Sequence, residues 1–137
     1  MISKISIIPR YAETDQMGII HHSVYPIWYE QGRVAFCNEI GFPFDKIEAQ
    51  GLYHALIDLE VKYIKPTYFN QSLTLLTKIT SFGKVKLTFS YELLNDKEEC
   101  INKGTTTLAW LDHTLKPVNI FKHHPKIYEL LSKQLES

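Results

Sequence analysis

Residues 24–40 carry the pattern that most restricts the fold of this chain, because their apolar side chains cover two adjoining stripes of one helix. A helix that is apolar over most of its circumference has to be covered by other parts of the chain. Gly41, Phe42 and Pro43 end the pattern, since proline lacks a backbone donor and restricts its own φ. We therefore predict a buried helix over residues 24–40, followed by a short turn or helix over residues 44–50.

The chain beyond Gly51 is predicted to form strands, because apolar and polar residues alternate there with a period of two. The clearest alternation lies in residues 85–93, where Leu87, Phe89 and Tyr91 have polar neighbours on both sides. Residues with the same alternation and with turns between them predict the other strands, at 52–64, 73–79 and 101–111. A first strand is predicted within residues 3–14. A last helix is predicted over residues 126–135, opened by Pro125.

This order of elements predicts an α+β fold in which a curved antiparallel sheet wraps around the long helix. The strands after residue 51 are expected to follow one another as a meander with one apolar face. No repeat or low-complexity tract divides the chain, so one domain over residues 1–137 is expected. A single curved sheet leaves unpaired edges that a second copy can cover, and we therefore expect a homo-oligomer.

Composition excludes several classes of protein. The 15 Lys and Arg residues balance 15 Asp and Glu residues, whereas coating nucleic acid requires clustered positive charge. No apolar stretch approaches the roughly 20 residues of a membrane-spanning helix, and the first residues lack a signal-peptide pattern. Cys37 and Cys100 have no metal-ligand spacing, so reduced thiols in a cytoplasmic protein are expected.

The loop before the long helix concentrates residues that are capable of chemistry. Asp15 lies shortly before the helix start, where backbone N–H groups lack partners within the helix and favour negative charge. A carboxylate that activates water or attacks, together with donors for a developing oxyanion, suits hydrolysis of an activated acyl group. Gly18 allows a left-handed turn that approaches a ligand closely. The alternatives are a capping role for Asp15 and an exposed, functionless pair of His21 and His22.

The same loop and helix carry an extended motif, Tyr11-x-x-Thr14-Asp15-x-x-Gly18-x-x-x-His22-x-x-Tyr25-x-x-Trp28-x-Glu30-x-x-Arg33. This motif resembles the signature of hotdog-fold acyl-CoA thioesterases of the 4-hydroxybenzoyl-CoA thioesterase type. The Tyr63-x-x-Pro66 segment and the strand pattern through Trp110 are similar to the same family, so the resemblance covers nearly the whole chain. One departure is His21, where many relatives carry an aromatic or apolar residue.

The resemblance implies a hotdog fold, dimers that join their sheets, active sites at the subunit interface, and frequently tetramers. It makes Asp15 the catalytic carboxylate, acting as general base or as nucleophile. It also implies that the backbone N–H near His22 binds the thioester carbonyl oxygen and that Tyr25 lies in the adjoining pocket wall. Glu30 and Arg33 are expected to form a structural pair on the helix. Because a thioester is already activated, no metal or organic cofactor is expected.

Candidates outside this motif have structural interpretations as well. Lys84 and Lys86 are candidate contacts for the phosphates of CoA, although lysines also suit a solvent-facing sheet surface. Asp58 lies in an apolar stretch where burial would raise its pKa and make it a possible base, but a structural role is favoured. Structural roles are also favoured for His54 and Cys37.

Three functions are compatible with these residues. The first is hydrolysis of an acyl-CoA or acyl-carrier thioester, which the Asp-x-x-Gly loop favours. The second is an enoyl-thioester hydratase or dehydratase of the same fold, in which His22 and Glu30 move protons. The third is a non-catalytic acyl-CoA binding protein, because a fold does not determine a function.

Overall fold

The computed structural model of the chain describes residues 1–136. Its strands and helices are, in chain order, β1 (Ser3–Ile7), α1 (Tyr25–Glu39), α2 (Phe44–Ala49), β2 (Tyr53–Tyr63), β3 (Leu73–Phe82), β4 (Lys86–Leu94), β5 (Cys100–Leu111), α3 (Ile120–His123) and α4 (Pro125–Ser132). A 3-10 turn at Tyr11–Glu13 lies between β1 and α1. Within residues 1–136, no helix combines the length and the apolarity needed to cross a membrane.

The strands form one antiparallel sheet in the order β1-β3-β4-β5-β2. β1 pairs with β3 at one edge, where Ile7 lies opposite Leu73. β2 pairs with β5 at the other edge, where Tyr63 lies opposite Asn102. The sheet and the long helix confirm the expected α+β class, and the helix bounds agree with the predicted residues 24–40 to within one residue at each end.

The predicted meander is confirmed for β3, β4 and β5 and is wrong for β2. β3, β4 and β5 follow one another as hairpins, but β2 lies beside β5, at the opposite edge from β1. The connection after β2 spans residues 64–72 and contains Pro66, so it is too long for a tight hairpin. It carries the chain across to β3, whose two edges are occupied by β1 and β4.

The inner face of the sheet packs on α1 through large side chains. The ring of Tyr29 stacks on that of Tyr91 with centroids 4.2 Å apart, and Phe36 meets Phe89 edge to face at 5.4 Å. Gly32 allows the helix to approach β3 closely, because a Cβ there would lie 2.4 Å from Oγ1 of Thr77. The alternation that predicted β3 and β4 therefore faces α1, as expected. The alternation that predicted β2 does not, because Leu59 and Tyr63 are exposed at the edge of the sheet.

The ends of two predicted elements differ from the structure. The first strand stops at Ile7 rather than continuing toward residue 14, because Pro9 has no N–H to donate and a 3-10 turn follows. Its predicted apolar residue Tyr11 is exposed. The last helix ends at Ser132, and Leu135 instead bridges to Ile79 of β3.

Candidate active site

The loop that holds Asp15 is a closed turn. Its two ends pair, with Thr14 opposite Ile20, and the Asp15 N–H donates to the Ile19 carbonyl at 2.8 Å. The Gly18 N–H donates to the Asp15 carbonyl at 3.0 Å, and Gly18 has a φ of 80°, which favours glycine. The turn therefore fixes the backbone of Asp15 at the edge of the helix start.

The side chain of Asp15 is half-buried and is held by one oxygen. Oδ1 accepts the Met17 N–H at 2.8 Å. Within residues 1–136, no hydrogen bond engages Oδ2. A carboxylate that is oriented through one oxygen and has the other available is suited to activate water or to attack an acyl carbon.

The start of α1 presents unused backbone donors. Pro26 has no N–H, and the N–H groups of Ile27 and Trp28 both donate to the Val24 carbonyl. Among the described residues, the N–H groups of His22 and Tyr25 have no acceptor. The positive end of the helix dipole lies at the same place, so this start favours an oxygen that carries negative charge.

Asp15 and the helix start line one groove of about 470 Å³. Its walls are formed by Asp15, Met17, Ile19, Ile20, His22, Tyr25, Tyr63, Ile64, Lys65 and Pro66. A groove of this size, mostly apolar with a few polar groups, is typical of a small-molecule site.

Two tyrosines hold the wall of the groove in place. The Tyr25 hydroxyl donates to Oγ1 of the buried Thr67 at 2.9 Å. Burial raises the pKa of Tyr25, and the nearby Tyr63 and Asp15 raise it further, so this hydroxyl stays protonated at neutral pH. The Tyr63 hydroxyl donates to the His22 carbonyl at 2.8 Å, and its ring packs edge to face on Tyr25.

The structure brings three of the predicted site residues together, namely Asp15, His22 and Tyr25. Gly18 lies at the exposed tip of the turn and supports the backbone rather than the groove wall. Lys84 and Lys86 are not near this groove in the same chain. They follow Phe82 at the far end of β3, roughly 30 Å along the strand from its start near the loop, and the Lys84 ammonium lies over the Phe121 ring.

The residues for which a structural role was favoured lie away from the groove. Arg33 is buried and donates to the Tyr91 hydroxyl, and its contact with Glu30 at 3.9 Å confirms the expected pair. Cys37 is buried, and this burial raises the pKa of its thiol to about 12. His54 packs against Phe44 and Trp110.

Asp58 is exposed on β2 and not buried. The burial that would have made it a candidate base is therefore absent. Among the described residues, no three His, Cys, Asp or Glu side chains are grouped so that they could hold a metal ion.

Two residues of the site were missed by sequence reasoning. Glu13 is a buried carboxylate two residues before Asp15, and it accepts hydrogen bonds from the Trp28 indole and the Arg10 N–H. Thr67 is also buried. Its Oγ1 accepts a hydrogen bond from the Tyr25 hydroxyl, and its carbonyl accepts one from the Ile20 N–H. Glu13 was not predicted because it lies within a run of polar residues, and such a run gives no indication of burial. Thr67 was not predicted because it lies in the connection between β2 and β3, where no periodic pattern indicates which residues are buried.

Comparisons with known proteins agree over most of the chain. A model of the thioesterase-like superfamily matches residues 9–127. The Bacillus subtilis protein named "Putative acyl-CoA thioesterase YneP" is 33% identical over 125 residues, which cover 90% of this chain and 91% of that protein. A crystal structure of a DHNA-CoA thioesterase from Staphylococcus aureus is 32% identical with a TM-score of 0.92, and the match covers 96% of this chain and 89% of that chain. A hypothetical protein from Thermus thermophilus is 28% identical with a TM-score of 0.90, and all of both chains is covered.

Proposed function

The chain belongs to the thioesterase-like superfamily and is a thioester hydrolase with a hotdog fold, and on this premise we propose that the Asp15 groove is its active site and that acyl-CoA thioesters are its substrates. The observation that carries the proposal is the meeting of two features in one groove. The Asp15 carboxylate has a free oxygen, and the Tyr25 N–H at the start of α1 has no acceptor among the described residues.

The geometry supports attack by water on a bound thioester. The thioester carbonyl oxygen accepts the free N–H at the helix start, which stabilises the negative charge as it develops. Asp15 removes a proton from water while the water oxygen bonds to the acyl carbon. The tetrahedral intermediate then breaks its carbon–sulfur bond, and the thiolate leaves with the electron pair.

The same geometry supports Asp15 as a nucleophile. Its free oxygen then bonds to the acyl carbon, the thiolate leaves, and the resulting mixed anhydride is hydrolysed by water. A single turnover in ¹⁸O-labelled water detects the nucleophilic route when water attacks the Asp15 carbonyl of the anhydride, because the label then enters Asp15. Direct attack of water on the thioester, or on the acyl carbon of the anhydride, puts the label into the released acid. Trapping of an acyl group on Asp15 by hydroxylamine then separates these two cases, since only the nucleophilic route forms the anhydride.

The proposal includes the finer assignment to the 4-hydroxybenzoyl-CoA thioesterase type, which is supported by the motif from Tyr11 to Arg33. It also includes a single domain over residues 1–137 and a homodimer joined along β2. β2 is an edge strand of the sheet, and its side chains Leu56, Ile57 and Leu59 are 40–50% exposed. An unpaired apolar edge favours pairing with a second copy, and two such dimers would form a tetramer.

A dimer through β2 would also bring Lys84 and Lys86 of one copy toward the site of the other. Antiparallel pairing of two β2 strands sets the Tyr53 end of one copy beside the Tyr63 end of the other. Lys86 pairs with Ala109, which pairs with Ala55 near the Tyr53 end. The two lysines of one copy would then approach the Asp15 groove of the other, where CoA phosphates need basic contacts.

The decisive experiment compares Asp15→Asn with the wild type in thiol release from a panel of acyl-CoA thioesters. We expect kcat to fall about 100-fold or more, the usual effect of removing a general base or nucleophile. Asp45→Asn is the matched control, since Asp45 is an exposed carboxylate on α2, and it should retain full activity. Full hydrolysis by the Asp15→Asn variant would overturn the assignment of the catalytic residue.

The substrate panel also separates the alternative activities. It should contain saturated and 2-enoyl thioesters of CoA and of an acyl carrier protein. Free thiol from a saturated thioester supports hydrolysis, and hydration of the enoyl thioester without thiol release supports a hydratase. Tight binding without any turnover would support a non-catalytic acyl-CoA binding protein.

A further inference from the structure

Both polar groups of the peptide bond between His22 and Ser23 are held by side chains. Its carbonyl accepts the Tyr63 hydroxyl at 2.8 Å. Its N–H donates to Nδ1 of His21 at 3.1 Å. Because a peptide unit is planar, two hydrogen bonds on its opposite sides fix the orientation of the whole unit.

The two partners of this peptide come from different parts of the fold. Tyr63 is the last residue of β2, and its ring packs on Tyr25 with centroids 5.3 Å apart. His21 lies in the loop itself, and its ring lies against that of His22 with centroids 4.1 Å apart. A backbone N–H only donates, so Nδ1 of His21 carries a lone pair and a neutral ring has its proton on Nε2.

The held peptide lies between the two unused donors of the helix start. The N–H groups of His22 and Tyr25 have no acceptor among residues 1–136, whereas the Val24 N–H donates to the His21 carbonyl at 3.0 Å. The two donors belong to nearby peptide units, whose own carbonyls are also bonded: the His21 carbonyl accepts the Val24 N–H, and the Val24 carbonyl accepts the N–H groups of Ile27 and Trp28. The two hydrogen bonds of the held peptide therefore tie the segment between these donors to the end of β2 and to His21.

We propose that Tyr63 and His21 are positioning residues that clamp the peptide between His22 and Ser23 and so hold the segment that carries the free N–H groups in place at the substrate carbonyl oxygen. This inference rests on the proposed function, because it assigns the free donors to a bound thioester. Neither side chain has to touch the reacting atoms. The imidazole of His21 supplies the acceptor for the Ser23 N–H.

The test uses substitutions that each remove one of the two side-chain groups that hold the peptide, and His21→Ala also removes the 2.7 Å hydrogen bond between Nδ1 and the Ser23 hydroxyl. Tyr63→Phe keeps the ring on Tyr25 and removes the hydroxyl, and His21→Ala removes the acceptor. We expect each variant to lose about tenfold in kcat with KM changed by less than about twofold, because the donors act on the oxyanion rather than on substrate binding. Tyr68→Phe is the matched control, since Tyr68 is an exposed tyrosine of the next connection, and it should leave kcat unchanged.

The conservative variant His21→Asn provides a rescue. An asparagine oxygen accepts the N–H of the residue two positions later, as in an Asx turn, so it should restore kcat and slow hydrogen exchange of the Ser23 amide relative to His21→Ala. The double variant Tyr63→Phe/His21→Ala should lose less than the product of the two single losses, because both changes release one peptide.

The outcomes separate this inference from the proposed function. If the wild type hydrolyses thioesters, Asp15→Asn abolishes this activity, and both Tyr63→Phe and His21→Ala keep the wild-type kcat, the clamp is refuted while the active site stands. The clamp is also refuted if KM rises while kcat is unchanged, or if His21→Asn is as slow as His21→Ala. If Asp15→Asn is fully active, the proposed function itself fails.

Discussion

The indole Nε1 of Trp28 on α1 donates a 3.1 Å hydrogen bond to Oε2 of Glu13, a buried carboxylate two residues before Asp15. The other oxygen of Glu13 accepts the Arg10 N–H at 2.7 Å. This carboxylate thus joins the start of the loop to α1, whose first residue, Tyr25, lines the groove. The position of Asp15 depends on a residue that itself takes no part in the proposed chemistry.

We predict that Glu13→Gln destabilises the fold by about 1–3 kcal/mol. An amide offers one acceptor oxygen where the carboxylate offers two, so either Trp28 or Arg10 loses its acceptor. Urea unfolding followed by Trp fluorescence measures the effect. Glu48→Gln, at an exposed carboxylate of α2, should change the free energy of unfolding by less than about 0.5 kcal/mol. Equal stability of the two variants would contradict the role of Glu13.

Gly32→Ala should destabilise the protein, although alanine favours helices. Its Cβ would lie 2.4 Å from Oγ1 of Thr77 and 2.9 Å from Cδ2 of Leu75, and such overpacking typically costs about 1–3 kcal/mol. Thr77→Ala should relieve most of this cost in the double variant, because Oγ1 of Thr77 has no hydrogen-bond partner in the described structure. Thermal unfolding of the three variants checks both expectations, and a Gly32→Ala variant as stable as the wild type would show that the contact is not tight.

Stability should fall as the pH is lowered from about 6.5 toward 4 because of His54. Burial, with a smaller effect of Arg33, lowers the pKa of His54 from 6.5 to about 4. Between these values the unfolded chain binds a proton that the folded chain does not, so unfolding is favoured, and the loss levels off below pH 4. The gap corresponds to about 3 kcal/mol at most.

The variant His54→Phe keeps a ring against Phe44 and Trp110 and removes the titration. Urea unfolding at pH 7 and pH 4.5 should show a smaller loss of stability for this variant than for the wild type. The same loss in both proteins would mean that His54 is protonated as readily in the fold as in the unfolded chain.

Ile57→Lys should convert a dimer to a monomer. Ile57 is 50% exposed on the edge strand β2, at the irregularity between Leu56 and Asp58, and a lysine there would be buried against the second copy. Sedimentation should give twice the 16.0 kDa chain mass for a wild-type dimer, or four times this mass where two dimers form the tetramer, and a lower mass for Ile57→Lys. Ile2→Lys is the matched control, because Ile2 is equally exposed and lies beside β1 at the other edge. If only Ile2→Lys dissociates the protein, the copies join along β1, and the proposed dimer along β2 is wrong.

The sequence by itself determined the elements whose pattern is local and periodic. The apolar stripes of residues 24–40 predicted α1 to within a residue at each end, and the alternation at Leu87, Phe89 and Tyr91 predicted β4 and its buried face. Asp15 was predicted from the loop motif, and the structure places it in one groove with the first residue of α1. Periodicity and spacing report on neighbours along the chain, so these inferences needed no tertiary contact.

Only the tertiary structure decided the partners of each element. β2 pairs with β5 rather than following the meander, and this pairing depends on contacts between distant strands that no local pattern contains. The burial of Glu13 depends on Trp28 being turned toward it, and the hydrogen bond of Tyr63 joins residues 41 positions apart. The candidate carboxylate Asp15 could therefore be predicted from the chain, whereas the hydrogen bond from Tyr63 to the His22 carbonyl forms only when the end of β2 reaches the start of α1.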